Sequence, residues 1–148
     1  MSSASRLPYE TTLLVRDHCL CLHAQRAARA LARRFDRAFR PLRLTNGQFS
    51  LLMSLNQPEP PPMAPVAGLL AMDRTTLTAA LKPLQRRGLV RIAKAQGDRR
   101  SRALVLTAKG RNLLARATPI WQRTHAEIES RLSTAQLDAL RSGLLAVS

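Results

Sequence analysis

Apolar positions set out the first long element. Between Thr12 and Phe39 the chain has no glycine or proline, and Leu20, Ala24, Ala27, Leu31, Phe35 and Ala38 recur at alternating steps of three and four. That spacing keeps one face of a helix apolar while the arginines between its members stay in water. Pro41 ends the helix. Thr45 followed by Gln48 has capping-box spacing, and Phe49, Leu52, Met53 and Leu55 are the expected buried face of a second helix. The proline-rich stretch NQPEPPPMAP reads as a rigid, non-helical connection. Pro65 suits the first position of a short helix carrying Val66, Leu69 and Leu70.

The turn AMDR is very short, and Asp73 reads as the N-cap of the next helix, RTTLTAALKPLQRR, which Gly88 stops. Two apolar, β-branched arms follow, LVRIAK and RALVL, with a turn at Gln96-Gly97-Asp98, so a hairpin is expected. Thr107 caps a further helix with Leu113, Ala117, Ile120, Trp121 and Ile128 on its apolar side, and Pro119 within it predicts a kink. Ser133 and Gln136 give capping-box spacing to a last helix carrying Leu137, Leu140, Leu144 and Leu145. The pattern is mainly α with a small β-hairpin: two helices joined by a short turn, then a ribbon, which together make a winged helix-turn-helix flanked by further helices.

Set Leu77 inward and advance about 100° per residue. Leu81 and Leu84 then stay inward, Thr75, Ala79, Lys82 and Arg86 point outward, and Thr76 and Thr78 lie on the flanks. With Arg74 at its start, this face is small and hydroxyl-rich first and basic afterwards. Such a helix suits a major groove: short hydroxyls meet base edges or a thymine methyl, and long cations span to phosphate.

Charge strengthens that reading. The 148-residue chain carries 24 basic and nine acidic residues, a net +15, and all the basic residues except Lys82, Lys94 and Lys109 are arginine. The field favours polyanions, and arginine's planar fork suits phosphate and base-edge contacts. Rings are too scarce for a platform that stacks single-stranded bases. No apolar run approaches the roughly 20 residues of a membrane span, and no hydrophobic signal core stands at the N-terminus, so a cytoplasmic, membrane-free protein is expected. No nucleophile-base pairing, phosphate loop or metal spacing appears, so neither an enzyme nor a bound cofactor is expected. The alternative is a basic winged-helix module for RNA binding or assembly.

Three blocks, LTNGQFSLL, MDRTTLTAALKPLQRRGLVRI and GDRRSRALVLTAKG, resemble the MarR family of bacterial transcription regulators in order and spacing over Leu44 to Gly110. The DRR wing with its L-T-x-x-G exit is the most specific element, and Pro65 and Pro83 depart from the usual pattern. The resemblance implies a homodimer on a pseudo-palindromic operator of double-stranded DNA, acting as a repressor and released by a small molecule or by oxidation. It also implies that one wing arginine enters the minor groove while Asp98 braces the wing by an ion pair. Arg99, Arg100 and Arg102 are the candidates for DNA contact there, with Arg99 or Arg100 inserted.

The expected division is a dimerisation helix over 1–43, the winged reading head over 44–110 and dimerisation helices over 111–148. The flanking helices are apolar beyond the needs of the head, which makes Leu13, Leu14, Leu137, Leu140 and Leu144 the expected dimer contacts. Family effectors are small aromatic or anionic molecules, and Arg26, Arg29 and His23 stand on the first helix where an anion could be drawn. Cys19 and Cys21, on one helix, would point about 200° apart, which disfavours a bridge. They read either as small buried hydrophobes or as redox sensors; HCLCLH lacks metal spacing.

Overall fold

The structure is a computed structural model, and residues 6–94, 97 and 101–148 are described. Seven helices and one antiparallel hairpin make up the described chain: α1 (Tyr9–His18), α2 (Leu20–Phe39), a 3₁₀ turn (Arg40–Leu42), α3 (Asn46–Ser54), α4 (Met63–Leu69), α5 (Arg74–Arg86), β1 (Val90–Lys94), β2 (Arg102–Leu106), α6 (Ala108–Glu129) and α7 (Thr134–Ala146). The winged helix-turn-helix expected from the pattern is thus present: α4 and α5 joined by a short turn, then the ribbon.

The single first helix is not found. It breaks at Cys19, whose backbone is extended (φ −70°, ψ 109°). The Cys19 N–H still closes α1 on the Val15 carbonyl at 2.9 Å. Its Sγ then accepts from the Leu22 N–H at 3.4 Å, so a thiol takes the N-cap role of α2 that a hydroxyl usually fills. A second correction concerns α4, which begins at Met63 rather than at Pro65, with Pro62 as its N-cap. Proline in a first turn removes only an N–H that has no helical partner. The proline-rich connection is also more than a spacer. Leu104 donates its N–H to the Pro61 carbonyl at 2.8 Å, and Pro62 bridges Ala103, so the connection covers the outer edge of β2.

The core is built from Phe35, Phe39, Leu42, Phe49, Leu52, Leu77, Leu81, Leu84, Leu104, Leu114 and their neighbours. Two leucines and one methionine differ from expectation. Leu51 is buried where Met53 was expected, and Met53 and Leu69 are exposed. Phe35, Phe39, Phe49, Trp121 and His125 form a row of stacked rings 4.7–6.4 Å apart that ties α2, α3 and α6 together. Arg34 reinforces the same junction by donating to Glu127 at 2.8 Å. Both capping boxes, Thr45 with Gln48 and Ser133 with Gln136, are formed in full. Helix α6 is a single element through Pro119. Among the described residues no helix is long and apolar enough to cross a membrane.

Candidate nucleic-acid interface

Helix α5 presents the face that its sequence requires. Leu77, Leu81 and Leu84 are 0% exposed, whereas Arg74, Thr75, Thr76, Thr78, Lys82 and Arg86 all lie in solvent. The leading end is held by Asp73, whose carboxylate accepts from the Thr76 N–H at 2.7 Å. That backbone bond, with a second from the Thr76 hydroxyl, holds the Asp73 carboxyl below the usual carboxylate range.

The three threonines are not equivalent. Thr78 donates its hydroxyl to the Arg74 carbonyl at 2.8 Å, one turn back. The Thr76 hydroxyl is engaged with Asp73. Thr75, the most outward of the three, has no side-chain partner among the described residues. Its hydroxyl is therefore the one left to an external ligand, a distinction that spacing alone does not reveal.

The hairpin stands beside α5. Its register pairs Val90 with Leu106, Ile92 with Leu104, and Lys94 with Arg102 at the outer end. Two exposed cations therefore face each other where the ribbon leaves the core. Gly97 has φ +86°, a left-handed turn conformation that suits glycine. Asp98, Arg99 and Arg100 lie outside the described residues. At the base, the Arg111 guanidinium donates to the Leu106 carbonyl at 2.7 Å and fixes the ribbon to α6.

The MarR family profile matches residues 44–101, which take in α3, α4, α5 and β1. The HTH-type transcriptional regulator TtmR of Methylorubrum extorquens is 37% identical over 101 residues, covering 66% of this chain and 50% of that protein, so the match spans half of that regulator's length. The M. tuberculosis regulator MosR, solved in complex with DNA, shares 37% identity and a TM-score of 0.76 over 87% of this chain and 96% of its own. The transcriptional repressor CouR, bound to a 23-mer DNA duplex, shares 30% identity and a TM-score of 0.80 over 97% of this chain and 99% of its own. The chain belongs to the MarR family. MarR proteins are DNA-binding transcription regulators rather than enzymes.

Outside the reading head, this MarR chain leaves much apolar surface uncovered. Leu14 is 58% exposed, Leu20 74%, Leu140 51% and Leu144 49%, while Leu13 and Leu137 are half-buried. Helices α1 and α7 contain no buried residue at all. Of the first-helix stripe only Phe35 is buried, with Ala38 half-buried.

A cleft of about 560 Å³ opens between α3, the end of α4 and α6, walled by Phe49, Met53, Leu69, Leu70, Thr118 and Trp121. It accounts for the exposure of Met53 and Leu69. Arg26, Arg29 and His23 are not part of it; they lie exposed on α2. The signal for this cleft is present in the sequence only as apolar residues that read as core.

Cys19 is half-buried and Cys21 exposed, and both are free thiols. Because Cys19 sits in the extended joint between α1 and α2, the two side chains do not share one helix and are not set about 200° apart by helical geometry. Cys21 accepts from the Gln25 amide at 3.1 Å. Among the described residues no group of histidine, cysteine or carboxylate side chains could hold a metal.

Proposed function

We propose that this chain is a homodimeric, sequence-specific repressor that reads a pseudo-palindromic site in double-stranded DNA. The observation that carries the reading is the division of α5 into a buried leucine seam and an outward face with one uncommitted hydroxyl, Thr75, ahead of Lys82 and Arg86. A helix so divided delivers a short polar group to base edges and cations to the flanking phosphates. Arg99, Arg100 and Arg102 extend the contact from the wing into the minor groove, with Asp98 as brace.

Dimerisation supplies the second half-site. The uncovered leucines Leu14, Leu140 and Leu144, with Leu13 and Leu137 beside them, form an apolar surface that two-fold association would bury. Release comes from a small aromatic or anionic effector or from oxidation. The cleft beside Phe49 and Trp121 offers aromatic walls for the first. Cys19 offers the second, since oxidising its sulfur removes the cap of α2. Unchanged operator affinity after peroxide treatment, with oxidation verified by mass spectrometry, would remove the oxidative arm.

Selection of bound duplexes from a random pool tests the whole reading. The expected product is an inverted repeat whose half-sites lie about 34 Å apart, one helical turn. Recovery of a single unrepeated half-site, or RNA displacing every duplex, would contradict it.

A further inference from the structure

We propose that the cleft between the end of α5 and the start of α6 is a binding site for a small multivalent anion, a phosphate ester or a polycarboxylate. It lies apart from both the leading end of α5 and the aromatic cleft. Its volume is about 510 Å³, within the range of small-ligand sites. Arg43, Arg87, Lys109 and Arg116 supply the polar wall over an apolar floor that includes Leu89 and Leu113, and no carboxylate lines it.

The cations are held in place without being neutralised. Arg87 donates to the Arg43 carbonyl at 2.6 Å and to the Leu42 carbonyl at 3.3 Å. Lys109 donates to the Arg87 carbonyl at 2.8 Å. These acceptors are uncharged, so each cation keeps its full charge and spare N–H donors. The side chains of Arg43 and Arg116 have no partner among the described residues. Arg43 is also fixed in the left-handed region (φ 51°, ψ 42°), which a non-glycine residue adopts only when its surroundings impose it.

Four like charges therefore converge on one concave surface, with no carboxylate among its lining residues to balance them. An anion with charges at two or more positions meets opposite walls at once, and guanidinium forks bind phosphate or carboxylate in pairs. The site is remote from the leading end of α5, although Arg86 of the outward face adjoins Arg87 in sequence. Arg87 lies twelve residues beyond Thr75, which is about 18 Å along a helix.

Calorimetric titration with inorganic pyrophosphate at about 0.15 M salt tests the site. The wild-type chain is expected to bind one pyrophosphate per chain. Arg43→Asn with Arg116→Gln is expected to weaken binding about tenfold or more, since two charge-assisted contacts are lost. Asparagine tolerates the left-handed backbone at Arg43. Lys82→Gln with Arg86→Gln removes the same charge from the reading face and is expected to change pyrophosphate affinity less than about twofold. Equal weakening by the two pairs would mean diffuse attraction to a +15 chain and would overturn the site, as would absence of saturable binding to the wild type. Arg116→Gln alone, at an exposed position, repeats the test should the double variant not fold. The Arg43/Arg116 pair is expected to retain duplex binding, so the fate of the anion site is read separately from that of the DNA reading.

Discussion

The hydroxyl of Thr107 donates to the carbonyl of Gly88 at 2.7 Å, joining the residues that end α5 to the start of α6. The same oxygen accepts from the Gly110 N–H at 3.0 Å and so caps α6. Gly110 completes the arrangement, because a Cβ there would collide with the Leu89 carbonyl and the Leu106 side chain. The L-T-x-x-G exit of the wing is thus a packing device that holds reading head and α6 in one register. Thr107→Val removes both bonds and is expected to cost about 1–2 kcal/mol, while Thr107→Ser is expected to cost less. Gly110→Ala is expected to cost about 1–3 kcal/mol by overpacking. Denaturant unfolding midpoints at constant slope measure all three.

Thr75 and Lys82 should separate specificity from affinity. Thr75→Ala is expected to change which half-site is preferred, because it removes the one uncommitted hydroxyl on α5. Lys82→Ala is expected to weaken matched and unmatched duplexes alike. Thr78→Ala should shift preference less than Thr75→Ala, since its hydroxyl is already bonded to Arg74. Affinities for a panel of single-substitution duplexes distinguish the three patterns.

Asp73 gives the leading end of α5 a pH dependence. Its bonds from Thr76 hold the folded carboxyl below the unfolded value of about 4. Stabilisation from a depressed carboxyl is present above the unfolded value and lost as pH falls through the folded one. The stability gap between wild type and Asp73→Ala is therefore expected to be steady near neutral pH and to narrow below about pH 4. Urea midpoints across that range check it, and a gap that does not narrow would remove the ionised cap from the account.

Most of the reading head was legible because its signals are local. As helix caps and stops, Thr45 with Gln48, Asp73, Gly88 and Thr107 each act within a few residues of themselves, and periodicity placed Leu77, Leu81 and Leu84 in the core; the Thr107 bond to Gly88 spans 19 residues and carries no such signal. What escaped depends on contacts between distant segments or on competition among neighbours. The break at Cys19 carries no glycine or proline to announce it. Met53 and Leu51 are both apolar on one short helix, and only tertiary packing decides which is buried. The pairing of Pro61 with Leu104 joins residues far apart in sequence. The convergence of Arg43, Arg87, Lys109 and Arg116 arises from three elements, none of which signals a site alone.

The apolar surface of α7 predicts an obligate partner. Leu140 and Leu144 are 51% and 49% exposed in the single chain and lie outside the buried core, so acidic substitutions there leave that core intact. Leu140→Glu with Leu144→Glu is expected to give a folded monomer by sedimentation. Operator affinity is expected to fall by about 100-fold or more, because the second half-site is no longer held at a high effective concentration. A variant that stays dimeric with unchanged affinity would place the interface elsewhere.

Salt dependence tests whether the arginines act on the DNA backbone. With about three to five phosphates neutralised per protomer, the slope of log K against log salt is expected to be about −5 to −9 for the dimer. Replacing one phosphate-contacting side chain, Arg86 or Arg102, should reduce the magnitude of that slope by about 2, one contact for each protomer. Thr75→Ala should leave it unchanged, because a base contact releases no counterion. A nearly flat slope for the wild type would mean that the +15 charge acts on something other than the duplex backbone.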